Sequence, residues 1–132
     1  MEIPKKISVR QQEIADDFLK EVDKNLSELV SGKTEKMLEI EDIAAALHVQ
    51  PRHLSNTVKW VTGSSPCALF EEKILITAKR MLAENTMNIA SIAMQLTYDP
   101  SNFTKFFKRY TGKTPKQFRE DVFWKKTEHI TI

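Results

Sequence analysis

Glycine and proline are scarce in this chain, three and five of 132 residues, yet most of them recur at a single offset of 49 positions. Pro51 and Pro100, Gly63 and Gly112, and Pro66 and Pro115 are so related. The same shift superposes Ile40 on Ile89, Ile43 on Ile92, Ala44 on Ala93, Leu47 on Leu96, Lys59 on Lys108 and Thr62 on Thr111. A duplication that preserves turn-forming and core-type residues constrains the fold strongly, because one supersecondary unit must occur twice.

The punctuation of each copy predicts its local structure. Asn88 is a good N-cap for a helix starting at Ile89, since its side chain can accept from free N–H groups of the first turn; Glu39 holds that place in the first copy. Ile40, Ile43, Ala44 and Leu47, with their partners in the second copy, then fall on one face of a short helix. After a short break, Pro51 and Pro100 suit the first turn of a second helix, which Asp99 caps well and Gln50 less well. These helices end near Gly63 and Gly112. Ser65-Pro66 and Thr114-Pro115 open further helices, with Thr114 and Gln117 forming a capping box.

Two short helices joined by a tight turn read as a helix-turn-helix unit, so the chain holds two of them. Residues 66–84 form a longer helix between them, with Leu69, Ile74, Leu75, Ala78, Met81 and Leu82 available for packing. Upstream, Ile14, Phe18, Val22, Leu26, Leu29 and Val30 recur at helical spacing and give an amphipathic helix over 10–31. The expected organisation is all-α, about seven helices in a single domain. It comprises the N-terminal helix, a first helix-turn-helix at 39–63, a connecting helix at 66–84, a second helix-turn-helix at 88–112, a C-terminal helix at 114–124 and a tail at 125–132.

In the second helix of each copy, Leu54, Val58 and Val61, and their partners Phe103, Phe107 and Tyr110, repeat at core spacing. The opposite face reads Arg52, Ser55, Asn56 and Lys59 in one copy and Ser101, Thr104, Lys105 and Lys108 in the other, all hydrogen-bond donors and none acidic. Excluding carboxylates from an exposed helical face is what approach to phosphates and base edges requires. Arg52, Ser55, Asn56, Ser101, Asn102, Thr104 and Lys105 are therefore base-edge candidates, and Lys59, Lys108, Arg109 and Lys113 phosphate candidates.

The charge distribution agrees. Residues 1–50 carry 7 Lys/Arg against 11 Asp/Glu, a net of −4, and residues 51–132 carry the remaining 13 against 7, a net of +6. A basic half can face a polyanion while the acidic half faces away. No apolar run approaches the roughly 18 residues of a membrane span, and the segment from Met1 to Lys6 lacks the apolar stretch of a signal peptide, so the expectation is a cytoplasmic protein without a membrane partner. The single Cys67 excludes an intramolecular disulfide framework; with His48, His53 and His129 as the only histidines, neither a metal site nor a cofactor or catalytic centre is expected.

The stretch from Ile92 to Arg119, with Ile-Ala at its start, Phe103 in the second helix, Phe107-Lys108, Gly112, Pro115 and Phe118-Arg119, resembles the C-terminal signature of the AraC-type DNA-binding domain of bacterial transcription regulators. The first copy, from Ile43 to Leu69, matches the family's weaker N-terminal motif, and the resemblance covers about residues 10–122. It implies two recognition helices placed in successive major grooves, roughly 34 Å apart, by one monomer. The family's contacts would fall on Arg52, Ser55 and Asn56 and on Ser101, Asn102, Thr104 and Lys105. Members often carry Gly followed by Phe in the second turn, where this chain has Thr97-Tyr98; either that turn differs or the second lobe carries strain of about 1 kcal/mol or more.

The expected function is sequence-specific recognition of double-stranded DNA in transcription regulation as an activator, with RNA polymerase as a further partner through an exposed surface. The competing reading is a helical module that binds a transcription partner without touching DNA. No segment reads as an effector-binding domain, and the chain is either a stand-alone regulator or a fragment of a longer one.

Overall fold

The computed structural model describes residues 6–84 and 86–130, with side chains as far as Lys125. Seven helices account for about three-quarters of them: α1 (Val9–Ser31), α2 (Ile40–Ala46), α3 (Pro51–Thr62), α4 (Pro66–Glu84), α5 (Ile89–Gln95), α6 (Pro100–Thr111) and α7 (Pro115–Ile130). There is no strand among the described residues.

Helix starts follow the side chains that can satisfy free N–H groups. Ser8 and Gln11 form a reciprocal capping box at α1, and Thr114 and Gln117 form another at α7. Asn88 Oδ1 accepts from Ser91 N–H at 2.7 Å, and Asp99 accepts from Ser101 and Asn102 N–H at 3.0 and 3.4 Å. At α2 the Asp42 carboxylate accepts from the N–H of Glu39, whereas Gln50 makes no side-chain cap at α3.

Helix ends are less predictable from composition. α7 continues to Ile130, past the expected end at 124, because no Gly or Pro follows Pro115 to interrupt it. Residues 125–130, expected as tail, are therefore helical, and 131–132 lie outside the described residues.

The buried side chains form one continuous core. α1 contributes Ile14, Phe18, Val22, Leu26 and Leu29; α2 and α3 contribute Ile43, Ala44, Leu54 and Val58. The second copy supplies Ile92, Ala93, Leu96, Phe103, Phe106 and Phe107. Ile74, Ala78, Met81 and Leu82 of α4 lie between the two sets. Val30, expected to pack, is instead exposed: each i to i+4 step drifts roughly 40°, which carries it beyond Leu26 and off the buried arc. Met87 and Met94 are likewise exposed, the latter at 65%.

Polar ties supplement the core. Asn25, buried in α1, donates to Lys36 O at 2.9 Å and accepts from Leu38 N–H at 2.8 Å, fixing the link between α1 and α2. Gln95 of α5 donates to the terminal carbonyls of Leu29 and Val30, and Lys73 of α4 pairs with Asp23 of α1 at 2.8 Å. The second motif is thus bonded directly to the helix that supports the first.

Candidate nucleic-acid interface

The turns that aim α3 and α6 are built alike. Val49 N–H reaches Ala44 O at 3.0 Å in the first, and Tyr98 N–H reaches Ala93 O at 2.8 Å in the second. Both closures require a left-handed residue, His48 at φ 58° and Thr97 at φ 68°. Of the two alternatives for the second turn, the structure has the strained one. The turn keeps the geometry of its twin and Thr97 bears a cost of about 1–3 kcal/mol.

On α3, Arg52, Asn56 and Lys59 are exposed and Ser55 is half-buried. On α6, Ser101, Asn102, Lys105, Lys108 and Arg109 are exposed, and Thr104 is half-buried with its hydroxyl donating to Pro100 O at 3.1 Å. Thr104 therefore has lone pairs to offer but its proton is engaged. Lys113, beyond the end of α6, pairs with Asp121 of α7, which occupies the charge assigned to a phosphate.

The backing of the two helices differs. α3 rests on Leu54, Thr57 and Val58, with Val61 half-buried; α6 rests on Phe103, Phe106 and Phe107. Tyr98 stacks on Phe106 with centroids 5.2 Å apart, and Phe107 meets Phe118 of α7 edge-on at 5.4 Å. Tyr110, expected in the core, is 49% exposed, and Phe106 takes the buried place. The phenol explains the exchange, since its hydroxyl needs a polar partner and finds it at the surface in the Glu71 carboxylate of α4.

Glu71 is a feature that the helical pattern did not reveal. The outer faces of α3 and α6 carry no acid, but α4 brings this carboxylate to the edge of α6, where it lines a cleft with Asn102, Lys105 and Arg109. Its hydrogen bond from Tyr110 is the main reason that the Tyr110 hydroxyl is harder to ionise than an ordinary phenol. Tyr98 is shifted the same way, chiefly by burial and then by the charge of Glu71. The Arg109 guanidinium lies 5.0 Å from the Tyr110 ring centroid, so that cation is partly held in place.

Residues 43–121, more than half of the chain, match the model of a helix-turn-helix domain family. An uncharacterized HTH-type transcriptional regulator of Bacillus subtilis, YtdP, is 33% identical over 80% of this chain. The chain belongs to the AraC-type helix-turn-helix family. As a member of that family it also resembles the raffinose operon regulatory protein RafR of Pediococcus pentosaceus, at 31% identity over 63% of the chain. It spans only 14% of YtdP and 30% of RafR. Among solved structures, the C-terminal domain of AraT, a response regulator from Geobacillus stearothermophilus, superposes with a TM-score of 0.71 at 27% identity, covering 82% of this chain and 84% of that one. An AraC-type regulator from Chromobacterium violaceum, 20% identical over 87% of this chain and 96% of its own, shares the fold with a TM-score of 0.73.

Among the described residues no helix is long and apolar enough to cross a membrane, and no cluster of His, Cys, Asp or Glu could hold a metal. Cys67 is exposed near the start of α4, with Glu71 one turn away.

Proposed function

We propose that the chain is the double-stranded DNA reader of a bacterial transcription regulator, acting in the cytoplasm and not as an enzyme. The observation that carries this reading is the pair of exposed, acid-free faces on α3 and α6, set by two turns of the same backbone geometry. The AraC-family membership supports it, as does the likeness in fold to the DNA-binding domain of AdpA, solved in complex with a target DNA (20% identity, TM-score 0.66).

In this reading Arg52 and Asn56 on α3 address one major groove, and Ser101, Asn102 and Lys105 on α6 address the next. Ser55 and Thr104 contribute mainly as acceptors or close packing at the groove edge. Lys59, Lys108 and Arg109 bind phosphates and set the register. Lys113 contributes less than its charge suggests, because it must leave Asp121 to do so. Activation of transcription, through contact with RNA polymerase, is the proposed consequence.

Selection from randomised duplexes, followed by anisotropy titrations across a salt series, tests the reading. The expected result is an asymmetric motif of about two helical turns, with log affinity falling by about 0.9 per log salt for each phosphate neutralised. Arg52→Ala and Lys105→Ala should relax opposite ends of the motif, each by about 1–3 kcal/mol of discrimination. Lys59→Ala should weaken all sequences alike and reduce the salt slope by about 1. Failure to enrich any sequence, with weak binding even at low salt, would overturn the reading in favour of a protein partner.

A further inference from the structure

A half-open groove of about 430 Å³ lies where the two motifs meet α4. Phe18 of α1, Ile43 of α2, Phe70 and Ile74 of α4 and Tyr98 from the second turn line it, so both lobes contribute walls. Its volume and apolar lining match those of small-molecule sites, which add a few polar groups to fix orientation. Here the charged groups are all of one sign: Glu39, Glu41 and Glu71 line the groove, and no Lys or Arg is among the described residues that do. Glu71 also borders the neighbouring cleft that Lys105 and Arg109 of α6 line, so Glu39 and Glu41 are the carboxylates that leave the groove negative.

We infer that this groove is a binding site for a small amphiphilic amine, its apolar body against the partly exposed Met37, Phe70 and Tyr98 and its ammonium beside Glu39, Glu41 and Glu71. An anionic amphiphile of the same shape meets three carboxylates, and a neutral one leaves them unanswered. Glu71 also receives the Tyr110 hydroxyl of α6, so an ammonium drawn to it competes for the contact that ties α6 to α4. Occupancy of the groove thereby acts on the second recognition helix.

Binding is tested without DNA, by calorimetry and methyl NMR of the whole chain titrated with phenylbutylamine, phenylbutyrate and phenylbutanol. The amine should saturate and shift the Ile43 and Ile74 methyl signals, and bind at least about fivefold more tightly than the other two. Equal binding of the three probes, no saturation, or shifts located elsewhere would overturn the site. Glu39→Gln combined with Glu41→Gln keeps side-chain acceptors at the start of α2 and should weaken the amine alone by about two- to fivefold. Alkylating exposed Cys67 with N-ethylmaleimide narrows the groove without touching the core, and should abolish saturation; unchanged binding would count against the site. The action on α6 rests on the DNA reading, and is measured separately as the affinity of the unmodified chain for its selected duplex with and without saturating amine. Weakened discrimination at the α6 end of the motif is expected, and no change would overturn the coupling while leaving both the site and the DNA reading standing.

Discussion

Thr97 holds φ 68° in the turn before α6, where a β-branched side chain crowds its own backbone. His48 holds φ 58° at the equivalent point of the first turn and, unbranched at Cβ, tolerates it better. The second turn keeps its shape because the surrounding contacts outweigh the strain: Tyr98 N–H closes on Ala93 O, and the Tyr98 ring stacks on Phe106. Thr97→Asn should therefore stabilise the protein by about 1 kcal/mol in urea denaturation, since Asn enters this region readily and adds no backbone freedom to the unfolded chain. Thr97→Gly relieves the same strain but loses about 0.5–1 kcal/mol to unfolded-state entropy, so it should fall between Thr and Asn. A Thr97→Asn variant no more stable than the parent would mean that the turn carries no strain. Asn25 is the opposite case, a buried polar residue fully satisfied by Lys36 O and Leu38 N–H. Asn25→Ala leaves both backbone groups without their partner and should cost about 2–3 kcal/mol by the same assay.

At the scale of the element, the helix starts were legible because each depends on one or two side chains at fixed spacing, as with Asn88, Asp99 and the Thr114–Gln117 pair. What the sequence hid depends on neighbours distant along the chain. Nothing in α6 alone indicates that Tyr110 turns outward, because the carboxylate that draws it belongs to α4, 39 positions earlier. The outward face of α6 could be read from its period, whereas the acid at its edge could not. α2 adds a pH-dependent element. The N–H of Glu39 bonds to the Asp42 carboxylate and holds its pKa below the usual carboxylate range, against a smaller opposing effect of burial and with help from Lys36. A carboxyl depressed in the folded state stabilises the fold above its unfolded pKa, near 3.9, and loses that contribution as pH falls through the lower folded value. Asp42→Asn should thus lower Tm at neutral pH, and the gap to the unsubstituted chain should close as pH falls from the unfolded carboxyl value near 3.9 through the lower folded one. A gap that stays constant with pH would show that the charge of Asp42 contributes nothing.

On the scale of the whole molecule, the duplication suggested two lobes joined by a connector, yet the packing makes one body of them. α4 is buried on the lobe boundary through Ile74, Ala78, Met81 and Leu82, within the same core that holds Ile43 of the first motif and Phe107 of the second. Gln95 bonds the second motif to the last carbonyls of α1, and Arg119 of α7 donates to Leu82 O at 3.0 Å. A reader of two adjacent grooves needs this rigidity, because a lobe free to swing would lose in orientation what it gained in contacts. If the lobes share one core, a cavity at their boundary must be felt by both. Leu82 is 1% exposed, and Leu82→Ala should cost about 3 kcal/mol. Native-state hydrogen exchange distinguishes the cases. In one cooperative unit the slowest amides of α3 and of α6 lose the same free energy in the variant. If only α5–α7 lose protection while α3 keeps its own, the lobes unfold independently, and the spacing between half-sites must then be fixed by the DNA rather than by the protein.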